Sequence, residues 1–414
     1  MPKIYLIDVT NRDGVQTAKL GLSKLEKTMI NIYLNEMGVF QSEFGFPTTR
    51  HESLYLQANL ELAEIGVLQP IHLEGWIRAI TSDVETAFKM VPDIRHLNLS
   101  ISTSPQMIEG KFRGKKKRED VINDMVEAVD AARASGAETI GVNAEDASRT
   151  DLDFLIKFGL AAKEHGANRF RYCDTLGYDN PFTIYETVRK LAENVGIAIE
   201  THCHSDLGMA VANSIAGAKG ALDGGQDAYI NTTINGVGER AGNADLVAVI
   251  LAATKSKEFA GKYQLGGSID LSKAWKIARF ASYAFGMPIP VNQPGVGKNA
   301  FAHESGIHAD GVLKDPQNYE LYSYEELGRG EPEFVETGRE ICTGEYSGIS
   351  GFSHIMGKMK TAVSFSSKEE ANEILELVRY ANVESQRPLV EDELLFIAKY
   401  PKIAKKLLTL TPLE

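Results

Sequence analysis

Apolar runs rich in β-branched side chains recur through the first two-thirds of the chain, and segments of helical periodicity separate them. The runs at 4–8, 39–44, 71–76, 96–101, 139–143, 169–173, 197–202 and 227–232 predict strands. Between them, SKLEKTMINIYLNEMG and REDVINDMVEAVDAARASG repeat apolar residues every three to four positions and stop at glycine, as helices do. Eight strands alternating with helices over about 255 residues is the arithmetic of an α/β protein of the (β/α)8 TIM-barrel type. A doubly wound open sheet is the competing architecture, but no GxGxxG turn follows the first strand. Beyond Lys255 the alternation stops. The chain therefore divides into a barrel at 1–256, a linker and subdomain at 257–317 containing the Gly- and His-rich run NQPGVGKNAFAHESGIHADG, and a mostly helical C-terminal extension at 318–414.

Barrels of this kind gather chemistry at the C-terminal ends of their strands, and polar residues cluster there. Strand one is followed by DVTNRDGVQ, with Asp8, Arg12, Asp13 and Gln16, and strand two ends in SEFGFP with Glu43. The third offers Glu74 and Arg78, the fifth Asn143, Glu145 and Asp146, and the sixth Asp174 and Thr175. The seventh ends in His202-Cys203-His204, and TTINGVGERAGN, ending at Asn243, follows the eighth. Alternation in a strand turns His202 and His204 to one side and Cys203 to the other, so two imidazoles supply most of a divalent metal site. Asp13 is the candidate carboxylate ligand. Such a site keeps positions open for the carboxylate and keto oxygens of a 2-oxo acid, and Arg12 would neutralise the alkoxide formed when the carbonyl is attacked. The lysine-rich run GKFRGKKKRED after strand four reads either as a solvated helix entrance or as a landing surface for the phosphates of a nucleotide-bearing substrate.

Composition narrows the classes. The chain has 414 residues, 43% of them hydrophobic, enough for a large core, and a net charge of -12 that argues against nucleic acid and anionic membranes as partners. No apolar run reaches the roughly 18 residues that a membrane helix needs. Cys173, Cys203 and Cys342 form no disulfide or zinc-ribbon spacing, which suits a reducing cytoplasm. The expectation is a cytoplasmic enzyme of small molecules.

In order, RDGVQ, EDASR, DTLG, HCHSDLGMAVAN and NGVGERAGN resemble the metal-dependent acyl-CoA-condensing barrels, the family of homocitrate synthase, 2-isopropylmalate synthase and citramalate synthase. The resemblance runs from about residue 4 to 330, and EDASR, DTLG, WIRA and HESGIHADGVLKD look closest to the homocitrate synthase branch. It implies Claisen condensation of acetyl-CoA with a 2-oxo acid, then thioester hydrolysis, with a divalent cation (Mg2+, Mn2+ or Zn2+) as cofactor. By position, Asp13, His202, His204 and Asn243 would hold the metal, Arg12 would stabilise the carbonyl oxygen, and Glu145 would belong to the acid/base machinery. Gln16, Glu43, Arg78, Asn143 and Thr175 are the candidate substrate-binding positions. His308 and Tyr319 would enter the barrel of a partner subunit, which implies a homodimer with an exchanged C-terminal segment. Several positions depart from the family pattern. Asn11 stands where a hydrophobic residue usually precedes the arginine, Ser205 where Asn is common, and GEYSG where GKHSG is frequent. Gly141 and Asn143 stand where some homocitrate synthases carry Arg and Ser for the distal carboxylate, leaving Arg78, Lys111 or His72 to supply the cation. The expected acceptor is 2-oxoglutarate, giving homocitrate. The alternatives are oxaloacetate with the opposite facial selectivity to ordinary citrate synthesis, or the acceptors of isopropylmalate and citramalate synthases. Less expected are a hydroxyacyl-CoA lyase and a non-catalytic metal-binding barrel.

Overall fold

β-Branched and aromatic runs pair here into eight parallel strands that close on themselves: β1 Ile4–Asp8, β2 Gln41–Gly45, β3 His72–Arg78, β4 His96–Ser102, β5 Thr139–Glu145, β6 Arg169–Asp174, β7 Ala198–Cys203 and β8 Ala228–Thr232. The computed structural model describes residues 2–332, 340–359, 361, 363 and 365–411. Strand β1 closes the barrel, pairing with β8 from Ile4↔Ala228 to Asp8↔Thr232 and with β2 at Ile7↔Gln41 and Asp8↔Ser42. A short strand β9, Leu265–Gly266, extends the sheet beside the start of β1. Every predicted strand is present, its ends moved by at most two residues.

The helices begin and end where local chemistry dictates. Ser23 opens the helix Lys24–Met37 with a capping box: its hydroxyl accepts the Glu26 N–H at 3.2 Å, and the Glu26 carboxylate accepts the Ser23 N–H at 2.7 Å. The same helix stops at Gly38, whose φ of 80° is left-handed and whose missing side chain lets the Ser268 carbonyl approach. In β6 the alternation of the sequence RFRYCD is visible as two faces. Phe170 points outward onto Phe158 of the helix Leu152–Glu164, with ring centroids 5.9 Å apart, whereas Arg169 and Arg171 point inward.

The interior is unusual for a barrel, where branched hydrocarbon normally fills the layers. Arg171 is fully buried, with Nε 2.5 Å from Glu200 Oε1, Nη1 2.7 Å from Glu43 Oε1 and Nη2 3.4 Å from Glu74 Oε2. Arg169 pairs with Glu200 at 3.1 Å and also with Glu74, while Asn231 Nδ2 donates to Glu200 Oε1 at 2.6 Å. Burial alone would raise the Glu200 carboxyl, but Arg171 and Arg169 bring it below its usual range. Glu74, more affected by burial than by its arginines, is pushed up to about 7. Below this layer Tyr5 stacks on Tyr229 at 4.6 Å, and Phe40, His72 and His96 complete an aromatic floor. His72 therefore lies at the N-terminal end of the barrel, away from the mouth, and is removed as a substitute for the missing strand-five cation.

Outside the barrel, the C-terminal helices Lys368–Ser385, Glu391–Lys399 and Pro401–Leu407 carry a small core of their own and tie back to it. Tyr33 donates to Asp392 at 2.7 Å, and Lys406 pairs with Glu61 at 2.5 Å. By contrast, the helix Gly306–Lys314 buries none of its residues within the chain. The interior network yields a stability prediction. Arg171→Met leaves Glu43, Glu74 and Glu200 short of counter-charge and is expected to cost about 3–5 kcal/mol, measured by urea denaturation. A loss under about 1 kcal/mol would show that the network is energetically neutral.

Candidate metal centre and active site

The turn after β1 builds the first half of the site. The Val9 carbonyl accepts the N–H groups of Arg12, Asp13 and Gly14 at 3.1, 2.8 and 3.2 Å, which folds the turn tightly and aims Arg12 and Asp13 into the mouth. Asn11 anchors it from behind, donating to the Lys27 carbonyl and to Asn31 Oδ1, each at 2.9 Å. Asn31 in turn donates to Tyr55 and Asn59. This buried amide chain accounts for asparagine at the usually hydrophobic position.

The second half comes from β7 and the loop after β8. Asp13, His202 and His204 are all buried, and one ligand atom from each lies within 4.8 Å of the others. The Nε2 atoms of the two histidines are 3.2 Å apart. Asn243 Nδ2 donates to Asp13 Oδ2 at 2.5 Å and to the Val237 carbonyl at 3.2 Å. Gly238 makes room for this, since a Cβ there would strike the Asn243 amide and lie 3.1 Å from Asp13 Oδ2. Burial lowers the pKa of both imidazoles, most strongly that of His202, so they are neutral. Burial tends to raise the Asp13 carboxyl, but Arg12, His202, His204 and the Asn243 N–H hold it well below the usual carboxylate range. Neutral imidazoles and an ionised carboxylate are the protonation states a cation requires. Nδ1 of both histidines and Oδ1 of Asn243 are also buried without a protein partner. The donor set fits a divalent ion of the Mg2+, Mn2+, Zn2+ range.

Arg12 connects this centre to the interior network. Its Nη1 donates to Asp13 Oδ1 at 2.8 Å and its Nε to Glu43, while Nη2 is buried without a partner. Glu43 thus sits beneath the mouth, held between Arg12 and Arg171. Across the opening, Glu145 is half-exposed and accepts from Ser102 and from Lys111 Nζ, the latter at 2.6 Å. Beside it Asn143 Oδ1 accepts from the Cys173 thiol at 2.6 Å, a group that burial holds in the neutral form. Thr175 caps the Asp146 N–H at 2.9 Å, and Asp146 is clamped by Arg149 at 2.6–3.0 Å. Asp146, Asn235 and Arg240 all carry positive φ without being glycine, so backbone strain collects around this rim.

Other expected positions are placed differently. Arg78 reaches the rim, but its side chain is 68% exposed and held by both oxygens of Asp83 at 2.7 and 2.8 Å. Gln16 ends a short 3-10 turn and is exposed. His308 and Tyr319 stack on each other with ring centroids 4.3 Å apart, both exposed. In the lysine-rich run, Lys111 turns to Glu145, Lys116 to Asp124 and Arg118 to Asp151. Sequence reading missed the Lys111–Ser102–Glu145 cluster and the Arg169–Arg171 network. The spacing R-F-R on a barrel strand was the available signal for the second, because alternation sends both arginines inward.

Two family profiles and several named relatives match the chain. The HMGL-like family profile matches residues 3–281, and the profile described as "Homocitrate synthase post-HMGL domain-like" matches residues 296–382. A citrate (Re)-synthase of Dehalococcoides mccartyi is 72% identical, covering 100% of this chain and 99% of its own. The 2-isopropylmalate synthase 2 of Caldanaerobacter subterraneus subsp. tengcongensis is 40% identical over 95% of this chain and 94% of that one. Homocitrate synthase 1 of a Nostoc species is 33% identical over 96% of this chain and 98% of that one. The chain belongs to the HMGL-like family, within its group of acetyl-CoA-condensing synthases.

Proposed function

We propose that this protein condenses acetyl-CoA with oxaloacetate and water to give citrate and free CoA, with the Re facial selectivity named for its 72%-identical relative. That identity, sustained over the whole chain, carries the reading. The relative described as a homocitrate synthase is 33% identical, so 2-oxoglutarate is the less supported acceptor. Absence of a strand-five cation at Gly141 and Asn143 points the same way.

The chemistry divides among the residues of the mouth. A divalent cation held by Asp13, His202 and His204, with Asn243 beside them, would act as Lewis acid on the keto group. Arg12 Nη2, a buried donor with no protein acceptor, is placed to stabilise the alkoxide as the acetyl methyl carbon bonds to the keto carbon. The methyl proton must leave to a base, and the alkoxide must regain a proton. Glu145, held by Lys111 and Ser102, is the carboxylate of the rim suited to that exchange. Thr175 would meet the acceptor's carboxylate. Water then cleaves the thioester, releasing CoA.

The exposed helix Gly306–Lys314 supports a homodimer. Ile307 is 75% and Leu313 85% exposed, an apolar surface that a second copy would cover while bringing His308 and Tyr319 to the neighbouring mouth.

Three outcomes are expected. With labelled acetyl-CoA and oxaloacetate, cleavage of the product by a citrate lyase that removes the pro-S arm leaves the label in oxaloacetate. Label in acetate overturns the facial assignment, and faster CoA release with 2-oxoglutarate overturns the acceptor. Chelation abolishes CoA release, and Asp13→Asn or His204→Ala lowers kcat by about 100-fold or more, beyond the effect of residues that only orient ligands. Mixing and refolding His308→Ala with Asp13→Asn restores about a quarter of wild-type activity if His308 serves its partner's site, and none if it serves its own.

A further inference from the structure

We infer that Trp76 is a specificity-determining residue, its indole N–H receiving, with the Asn98 amide, the second carboxylate of the acceptor. The inference rests on the proposed reaction with an oxo dicarboxylate.

Trp76 stands two residues beyond Glu74 on β3, so it shares the inner face one step nearer the mouth. The ring is fixed on two sides. Phe46 meets it edge-on at 5.8 Å and 81°, and Arg12 Cζ lies 5.6 Å from its centroid. On the neighbouring strand its register partner is Asn98, fully buried, whose own partner on β5 is Gly141. Trp76 Nε1 and Asn98 Nδ2 are both buried donors with no acceptor among the described residues, and Asn98 Oδ1 is likewise unpaired. Such groups are costly unless something accepts from them. A carboxylate is the complement, because it only accepts and has lone pairs for several donors at once.

Four other cations near the mouth are engaged. Asp83 holds Arg78, Asp146 holds Arg149, Asp206 and the Thr175 carbonyl hold Arg240, and Glu145 holds Lys111. A larger residue at Gly141 on β5 would also require the Asn98 amide to move, because a Cβ there would lie too close to Asn98 Nδ2. Recognition of the distal carboxylate thus shifts from a charge on β5 to neutral donors on β3 and β4, beside the Arg12 guanidinium. An acceptor ending in hydrocarbon would leave these donors unpaired, a strong ground for rejection.

Trp76→Phe keeps an aromatic ring and deletes the N–H. The expected result is a drop in kcat/KM for oxaloacetate of about tenfold or more, mainly through KM, with an unchanged melting temperature. A second readout needs no turnover. The chain has two tryptophans, so the indole N–H region of a nitrogen-15 spectrum holds two signals, and the one lost in Trp76→Phe is that of Trp76. In the manganese-free protein loaded with Mg2+, oxaloacetate should shift that signal downfield saturably. Pyruvate, which has the same chelating end without the second carboxylate, should shift it less. Equal shifts with both acids, no shift with oxaloacetate, or kcat/KM within twofold of wild type in Trp76→Phe would each overturn the inference. If wild-type protein releases CoA with another oxo acid and not with oxaloacetate, it is the proposed reaction that fails.

Discussion

Everything at the mouth rests on the charged layer inside the barrel. Arg169 and Arg171 rise from β6 and are met by Glu43, Glu74 and Glu200 from β2, β3 and β7, so strands far apart in sequence are tied by the same two side chains. Placing such groups in a dry interior is expensive unless each is paired, and the pairing is tight enough to keep Arg171 fully buried. The layer replaces hydrocarbon packing with directional contacts. It therefore fixes the rotation of the strands that carry the site as well as their spacing.

Arg12 transmits that order upward. One edge of its guanidinium belongs to Glu43 and the interior, another to Asp13 and the candidate metal centre, and a third is open. The layer and centre together hold Arg12, Arg169 and Arg171 against Asp13, Glu43, Glu74 and Glu200, an excess of one carboxylate if all are ionised. Glu74, pushed up to about 7 by burial, absorbs part of that imbalance, and a divalent ion beside Asp13 would reverse it. The candidate metal centre and the electrostatics of the interior are thus coupled through a single side chain.

The same logic separates reaction type from acceptor choice. On the proposed reaction, the candidate metal ligands, Arg12 and the loops that hold them would serve any 2-oxo acid, since they would address the keto acid end common to all. Discrimination must come from groups that face the remainder of the acceptor. Two buried donors without acceptors among the described residues, Trp76 Nε1 and Asn98 Nδ2, lie on β3 and β4, beside a strand β5 that carries no cation near the mouth.

The order of strands and helices was legible in the sequence because hydrophobic period is local: eight short apolar runs with helical segments between them admit few folds. The pairing of His202 and His204 was legible for the same reason, their shared face following from strand alternation alone. Asp13 needed the barrel, which brings the end of β1 within reach of the end of β7 across almost two hundred residues of chain. Tertiary structure alone decided that Glu43 lies beneath the mouth between two arginines, that His72 belongs to the floor, that Arg78 is held by Asp83, and that Lys111 turns inward to Glu145. Each of those depends on which neighbour a long polar side chain reaches, and that is set by the closure and register of the barrel rather than by any pattern along the chain.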